Sequence, residues 1–131
     1  MTTTTDTATV VRGIYDAFGR GDVPAVLGAF DPEIEWYEST GRIRGTYRGP
    51  QGVLDGVFVP ISEEWEGFTV DTERLVSEGD VVVAVGTYRA TCRATGKAMT
   101  SRFAHVWELR DGRAVRFEQI ADTESFNAAL S

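Results

Sequence analysis

One cysteine and one histidine, Cys92 and His105, stand in a chain of 131 residues. A lone cysteine excludes an intrachain disulfide framework and fits a reducing compartment, where Cys92 reads as an inert strand residue. With one residue of each kind, no zinc-ligand spacing can be assembled and no metal site is expected. A GxGxxG turn, a Walker A glycine loop and a GxSxG elbow are absent too. No run approaches the ~18 apolar residues of a membrane span. The opening MTTTTDTATV lacks the positive and apolar regions of a signal peptide. The expectation is a cytoplasmic protein with a short disordered tip over residues 1–6. Positive charge is also scarce. Thirteen Lys and Arg face twenty Asp and Glu, a net charge of −7, and the arginines are scattered among acids. That pattern argues against a nucleic-acid partner. The chemistry left to this chain uses carboxylates, one imidazole, hydroxyls and arginines.

The length suits one domain with a real core, spanning residues 1–131. From Ala8 to Phe18 apolar residues recur at three- and four-residue steps, an amphipathic helix ended by GRGD, with Gly19 or Gly21 free to turn left-handed. Asp22 can cap a second helix with Pro24 in its first turn. Val26, Leu27 and Phe30 continue it until Asp31–Pro32 stops it. EIEWYES (Glu33 to Ser39) alternates as a strand, with Ile34, Trp36 and Glu38 on one face. TGRIRGTYRG reads as a polar connection, and PQGVLDGVF (Pro50 to Phe58) as a weaker helix. Four strand-like runs follow, GFTVDTERLVS, DVVVAVGTYRATC, AMTSRFAHVWEL and RAVRFEQIA, and TESFNAAL adds a short helix. Helices first and then a meander imply an α+β fold on an antiparallel sheet.

His105 shares its strand face with Phe103, Trp107 and Leu109, and the next strand has Val115, Phe117, Gln119 and Ala121 on its apolar face. A two-residue turn at Asp111–Gly112 would set His105 beside Glu118 and mismatch the two faces. A three-residue loop with Gly112 in a bulge pairs Leu109 with Arg113 and His105 with Phe117, and the faces coincide. His105 and Gln119 then become diagonal neighbours on one aromatic-lined surface. A buried polar group without a partner costs about 1–3 kcal/mol, so each needs a partner in the protein or a ligand. Asp122 joins them only if the strand ends or kinks there; otherwise it caps the last helix.

YDAFGRGDVPAVLGAFDPEIEWYES, YRGPQGV, FAHVWELRDGRAVRFEQIADT and the order of elements resemble the SnoaL-like polyketide cyclases and ketosteroid isomerase-related proteins of the NTF2-like superfamily. The resemblance implies an NTF2-like cone, a curved antiparallel sheet wrapped around N-terminal helices with a deep apolar pocket. It implies homodimers paired through the sheet and no cofactor. It places Glu38 where ketosteroid isomerases hold their base. It sets Ile14, with Tyr15 one residue off, at the oxyanion tyrosine, and His105 at or next to the oxyanion acid. Asp122 resembles the aspartate that assists a histidine in SnoaL-like cyclases, or activates water in related epoxide hydrolases. The hydrolases' Arg-x-Asp pattern is missing, since Phe103 and His105 occupy that face.

The expected catalytic set is therefore His105, Asp122 and Glu38, acting on a small apolar molecule by acid–base proton transfer of the isomerase, cyclase or hydratase kind. Tyr15, Phe18, Trp36, Phe58, Trp107, Phe117 and Gln119 are the expected binding residues. The reference pKa of about 6.5 would make His105 a shuttle at neutral pH. Set against this, His105 can be a core residue bonded to Gln119 or a backbone carbonyl, and Asp122 a helix cap. Glu38 can be a strand-end carboxylate paired with Arg42 or Arg44, and the aromatics simple core. The whole can equally be a binding module or an accessory dimer, since function sits in the pocket and not in the fold.

Overall fold

The computed structural model describes residues 6–131, so the threonines of the expected tip lie outside the described residues. Asp6 is described and does structural work: its side chain accepts from Ala8 N at 3.0 Å and caps helix α1 (Thr7–Gly19). Ala8, Val11, Ile14 and Ala17 form its buried stripe. Asp22 caps α2 (Val23–Gly28) by accepting from Ala25 N at 3.2 Å, with Pro24 in the first turn. Between them Gly21, not Gly19, takes the left-handed conformation, at φ 74°.

The second helix stops two residues earlier than its apolar pattern suggests. Phe30 opens strand β1 (Phe30–Glu38), and Asp31–Pro32 lies inside the strand. Proline is tolerated there because the ladder to the neighbouring strand is interrupted between Phe30 and Glu35. TGRIRGTYRG is not all connection. It holds a 3-10 turn (Gly41–Ile43) and a short strand β2 (Gly45–Arg48) that pairs antiparallel with Glu35–Glu38. Four polar and glycine residues carry too little alternation to announce an edge strand.

Helical structure then runs from Gly49 to Glu64 as α3 (Gly49–Val53), a π turn (Leu54–Phe58) and α4 (Val59–Glu64). Gly56 faces the Tyr47 ring so closely that a Cβ would collide with it, which accounts for a poor helix former in mid-helix. Strands β3 (Trp65–Glu78), β4 (Val81–Cys92), β5 (Ala98–Arg110) and β6 (Arg113–Ala121) make the meander, and α5 (Thr123–Ala128) closes it. The sheet order is β2-β1-β6-β5-β4-β3. Pairing is antiparallel except between β1 and β6, which run parallel because the chain leaves β1 by a long crossover and returns beside it. The expected α+β cone is present, with one parallel seam.

The β5–β6 hairpin reaches the expected outcome by another device. Its turn is the two-residue one: Asp111 and Gly112 both have positive φ, 52° and 77°, as a type I′ turn requires. It pairs Leu109 with Ala114, but the register then shifts, and Glu108 pairs with Arg116. Val115 is the extra residue of that bulge. The two apolar faces coincide as expected, and His105 lies directly opposite Gln119 rather than Phe117.

Inward residues of the sheet and helices form two joined clusters. One holds Val11, Ile34, Trp36, Trp107 and Phe117, and the other Trp65, Tyr88, Met99, Phe103 and Phe126. Full burial of each aliphatic or phenyl side chain is worth about 1.5–3 kcal/mol. Curvature brings β3 close over β4 at Gly86, where a Cβ would fall on the Asp71 carbonyl and the Phe103 ring. Gly86→Ala should therefore destabilise the fold by about 1–3 kcal/mol in urea unfolding, the ordinary magnitude of overpacking. Wild-type stability in that variant would show that the sheet relaxes there freely.

Candidate functional site

The register lays polar groups in one row across the concave face. Ala84 on β4 pairs with His105 on β5, and His105 with Gln119 on β6. The β1–β6 pair Tyr37 and Glu118 carries Glu38 alongside Gln119. One step below lie Trp107, Phe117 and Trp36, the last two stacked at 3.7 Å between centroids. Helix α1 lowers Tyr15 onto this surface.

His105 is buried, 4% exposed, and both ring nitrogens are used. Nδ1 is 2.6 Å from Tyr15 Oη, and Nε2 is hydrogen-bonded to Tyr88 Oη. Phe103 stacks on the ring at 4.1 Å and Phe117 meets it edge-on at 4.7 Å. Each tyrosine oxygen is held in turn: Trp107 Nε1 donates to Tyr15 at 2.9 Å, and Gln119 Nε2 to Tyr88 at 3.0 Å. Gln119 Oε1 accepts from Ser39 N at 3.0 Å, Ser39 Oγ at 3.1 Å and Thr40 Oγ1 at 3.2 Å. His105 thus touches neither Gln119 nor a backbone carbonyl through a hydrogen bond; Tyr88 stands between.

Burial decides the titration. With no carboxylate against it, desolvation pushes the His105 pKa from 6.5 down to about 3, so the ring is neutral at pH 7. A charge shuttle at neutral pH, expected from the reference value, is corrected by this burial. The Tyr15 and Tyr88 hydroxyls are pushed up by the same desolvation and keep their protons.

Glu38 is buried as well, 7% exposed, and does not pair with an arginine. Arg42 reaches Glu64 instead, at 2.7 Å. Trp36 Nε1 donates to Glu38 Oε1 at 2.8 Å, while Oε2 is buried with no hydrogen-bond partner. Desolvation raises the carboxyl from 4.5 to about 7 against the opposing pull of the Trp36 bond. An orphan carboxylate oxygen half-ionised near neutrality is a proton acceptor in waiting.

These groups border one cavity. Its volume is about 50 Å³, and it is partly open to solvent. Every expected binding residue lines it, Tyr15, Phe18, Trp36, Phe58, Trp107, Phe117 and Gln119, together with Glu38 and His105. Phe18 and Phe58, in edge contact at 5.7 Å, are half-buried and narrow it. Tyr88, Thr40, Phe68 and Phe126 also line it and were missed. The alternation Val82, Ala84, Gly86, Tyr88 in β4 was the available signal for Tyr88.

A family model for the SnoaL-like domain matches residues 11–117. The chain belongs to the SnoaL-like family. An uncharacterized protein of Mycobacterium tuberculosis is 29% identical over 122 residues, 89% of this chain and 92% of the relative. The crystal structure of an NTF2-like protein from Burkholderia thailandensis superposes with a TM-score of 0.94 at 36% identity, covering 98% of this chain and 99% of that one. TerC, co-crystallized with polyporic acid, superposes at 0.86 with 27% identity, covering 95% and 97%.

In this SnoaL-like chain the end of β6 turns Asp122 outward. The residue is exposed and caps α5, accepting from Ser125 N at 3.1 Å and Ser125 Oγ at 2.6 Å. Those bonds hold its carboxyl below the ordinary value. The expectation that Asp122 faces the pocket is corrected: alternation puts it on the opposite side from Gln119, and the helix start uses both its oxygens. Among the described residues no helix is long and apolar enough to cross a membrane.

The two buried groups pull stability in opposite directions with pH. The raised Glu38 favours the fold below pH 4.5, an effect lost as pH rises through about 7. The depressed His105 favours it above 6.5, an effect lost as pH falls toward about 3. Glu38→Gln should gain on wild type by up to about 3 kcal/mol between pH 5 and pH 8 in urea unfolding. A constant difference between the two proteins across that range would show that Glu38 is not desolvated.

Proposed function

We propose that this protein is an acid–base enzyme that needs no cofactor and moves a proton on a small, apolar ring compound with an enolisable carbonyl. The observation that carries this reading is Glu38 Oε2, buried without a partner in an aromatic cavity that also holds tyrosine hydroxyls. Ionised Glu38 takes a proton from carbon next to the carbonyl. The C–H electron pair becomes the new C=C bond, and the carbonyl pair moves onto oxygen. A tyrosine hydroxyl that donates to that oxygen inside an apolar cavity favours the developing charge. Return of the proton to another carbon is isomerisation; attack by the enolate carbon on a second carbonyl is cyclisation. Admission of a ring to so small a cavity requires Phe18 and Phe58, the half-buried pair that narrows it, to part. The likeness to TerC, co-crystallized with polyporic acid, supports a ligand of this kind.

Glu38→Gln should slow α-proton exchange of 2-tetralone in D2O, followed by NMR, by about a hundredfold or more. Equal exchange with both proteins would remove Glu38 from the chemistry. Binding of the ketone without exchange in wild type would make the site a ligand-holding pocket instead.

We further propose a homodimer through the outer face of the sheet, where Ile120 and Val76 are 52% and 50% exposed beside half-buried Val83, Val85 and Val106. Ile120→Glu should turn a dimer into a monomer in light scattering; a wild-type monomer would overturn this.

A further inference from the structure

The hydrogens around His105 do not balance. Trp107 Nε1 and Gln119 Nε2 can only donate, so Tyr15 Oη and Tyr88 Oη each accept one bond from them. The Gln119 amide cannot be turned round, because the Ser39 N–H that meets Oε1 also only donates. Each link to the imidazole, Tyr15 to Nδ1 and Tyr88 to Nε2, takes one hydrogen on its line. A neutral ring brings one hydrogen and the two hydroxyls bring two. Three hydrogens serve two links, and one hydroxyl hydrogen is left without an acceptor. The same cavity contains one acceptor without a donor, Glu38 Oε2.

Their placement decides which tyrosine holds the surplus. Glu38 neighbours Gln119 across the β1–β6 seam, and Gln119 holds Tyr88. Burial first, and then the Glu38 charge, disfavours ionisation of the Tyr88 hydroxyl. Tyr15 is held from the other direction, by Trp107 in the layer below. A free hydroxyl hydrogen is better placed on Tyr88, toward a carboxylate, than on Tyr15.

We propose that His105 carries its hydrogen on Nε2 and accepts from Tyr15 at Nδ1, so that Tyr88 is the residue whose hydroxyl hydrogen bonds the ligand's oxygen, beside the free oxygen of Glu38. Tyr88 is then a catalytic residue, and Tyr15 a positioning residue that acts through the ring. This departs from the resemblance, which puts the oxyanion donors on the first helix and at or next to His105 on the penultimate strand. It rests on the proposed proton transfer for its catalytic part, while the tautomer stands without it. During the reaction Glu38 takes the proton from carbon and the carbonyl oxygen gains the electron pair. Tyr88 keeps its hydrogen and shares it with that oxygen, and the His105 tautomer is unchanged. The class of ligand follows from the two orphans: an oxygen acceptor with an acidic C–H, or an O–H group, a short distance away on the same ring.

His105 is the only histidine, so histidine labelled with 15N gives one imidazole to observe. A long-range 1H–15N spectrum at pH 7 should show pyrrole-type Nε2 and pyridine-type Nδ1. The opposite pattern, or two pyrrole-type nitrogens, overturns the proposal. With 2-naphthol as the probe, Tyr88→Phe should weaken binding roughly tenfold or more, and Tyr15→Phe less than about threefold. Equal losses, or a larger loss for Tyr15→Phe, overturn the assignment of Tyr88. Thermal unfolding of each variant reports whether it is folded, and the spectrum of the wild-type protein decides the tautomer if a variant is not. The expected tautomer and Tyr88 dependence, without exchange of 2-tetralone, would support the donor and refute the catalytic reading alone.

Discussion

An imidazole shut among phenyl rings has to find partners for two nitrogens of opposite character, and everything around the cavity answers to that requirement. Tyr15 and Tyr88 meet it from different elements, one on the first helix and one on the fourth strand. Neither could be placed without its own anchor. Trp107 orients one hydroxyl, and Gln119 the other, while Ser39 and Thr40 fix the amide itself. The chain of bonds thus links α1, β5, β4, β6 and the end of β1 through one ring. An unmet nitrogen there would cost about 1–3 kcal/mol, enough to select the helix position and the strand register together.

Glu38 is the exception in this cavity. Its neighbours satisfy one oxygen and leave the other bare, although a partner would be easy to supply from a sequence with thirteen basic residues. Arg42 and Arg48, near it in sequence, reach Glu64 and Glu35 instead. The site combines a fully satisfied neutral histidine with an incompletely satisfied acid. Desolvation moves the two pKa values away from each other's normal order, leaving the carboxyl titrating near 7 and the imidazole near 3. The group that titrates near neutrality in this cavity is accordingly the carboxylate and not the imidazole.

Much of this arrangement is legible in the sequence because strand alternation is a strict rule. Phe103, His105 and Trp107 are bound to share a face, and so are Phe117 and Gln119; burying one side of the sheet joins the two sets. Trp36 and Glu38 follow by the same counting. Other features escaped. Tyr88 sits four pairs up the strand from the histidine and reaches it across the curl of the sheet, and curvature leaves no periodic mark. The edge strand Gly45–Arg48 is too short and polar to stand out. For Asp122 alternation gave the outcome, facing it away from Gln119, and the helix start takes both its oxygens, as the capping alternative had it. The charge state of His105 escaped for another reason: a reference pKa is a property of the residue in water, and burial is not.

The bulge at Val115 shows how the hairpin keeps its site. A tight turn of two residues joins the strands in odd parity, which would aim His105 and Gln119 at opposite sides of the sheet. The extra residue in β6 restores even parity a few positions later, before either side chain is reached. Turn and site are therefore separate decisions. Residues can enter or leave the hairpin in pairs without turning the histidine away from the cavity, while a single residue gained or lost on either strand inverts it unless the bulge moves with it. The lining of the cavity is protected by a count, odd or even, rather than by the identity of any residue in the turn.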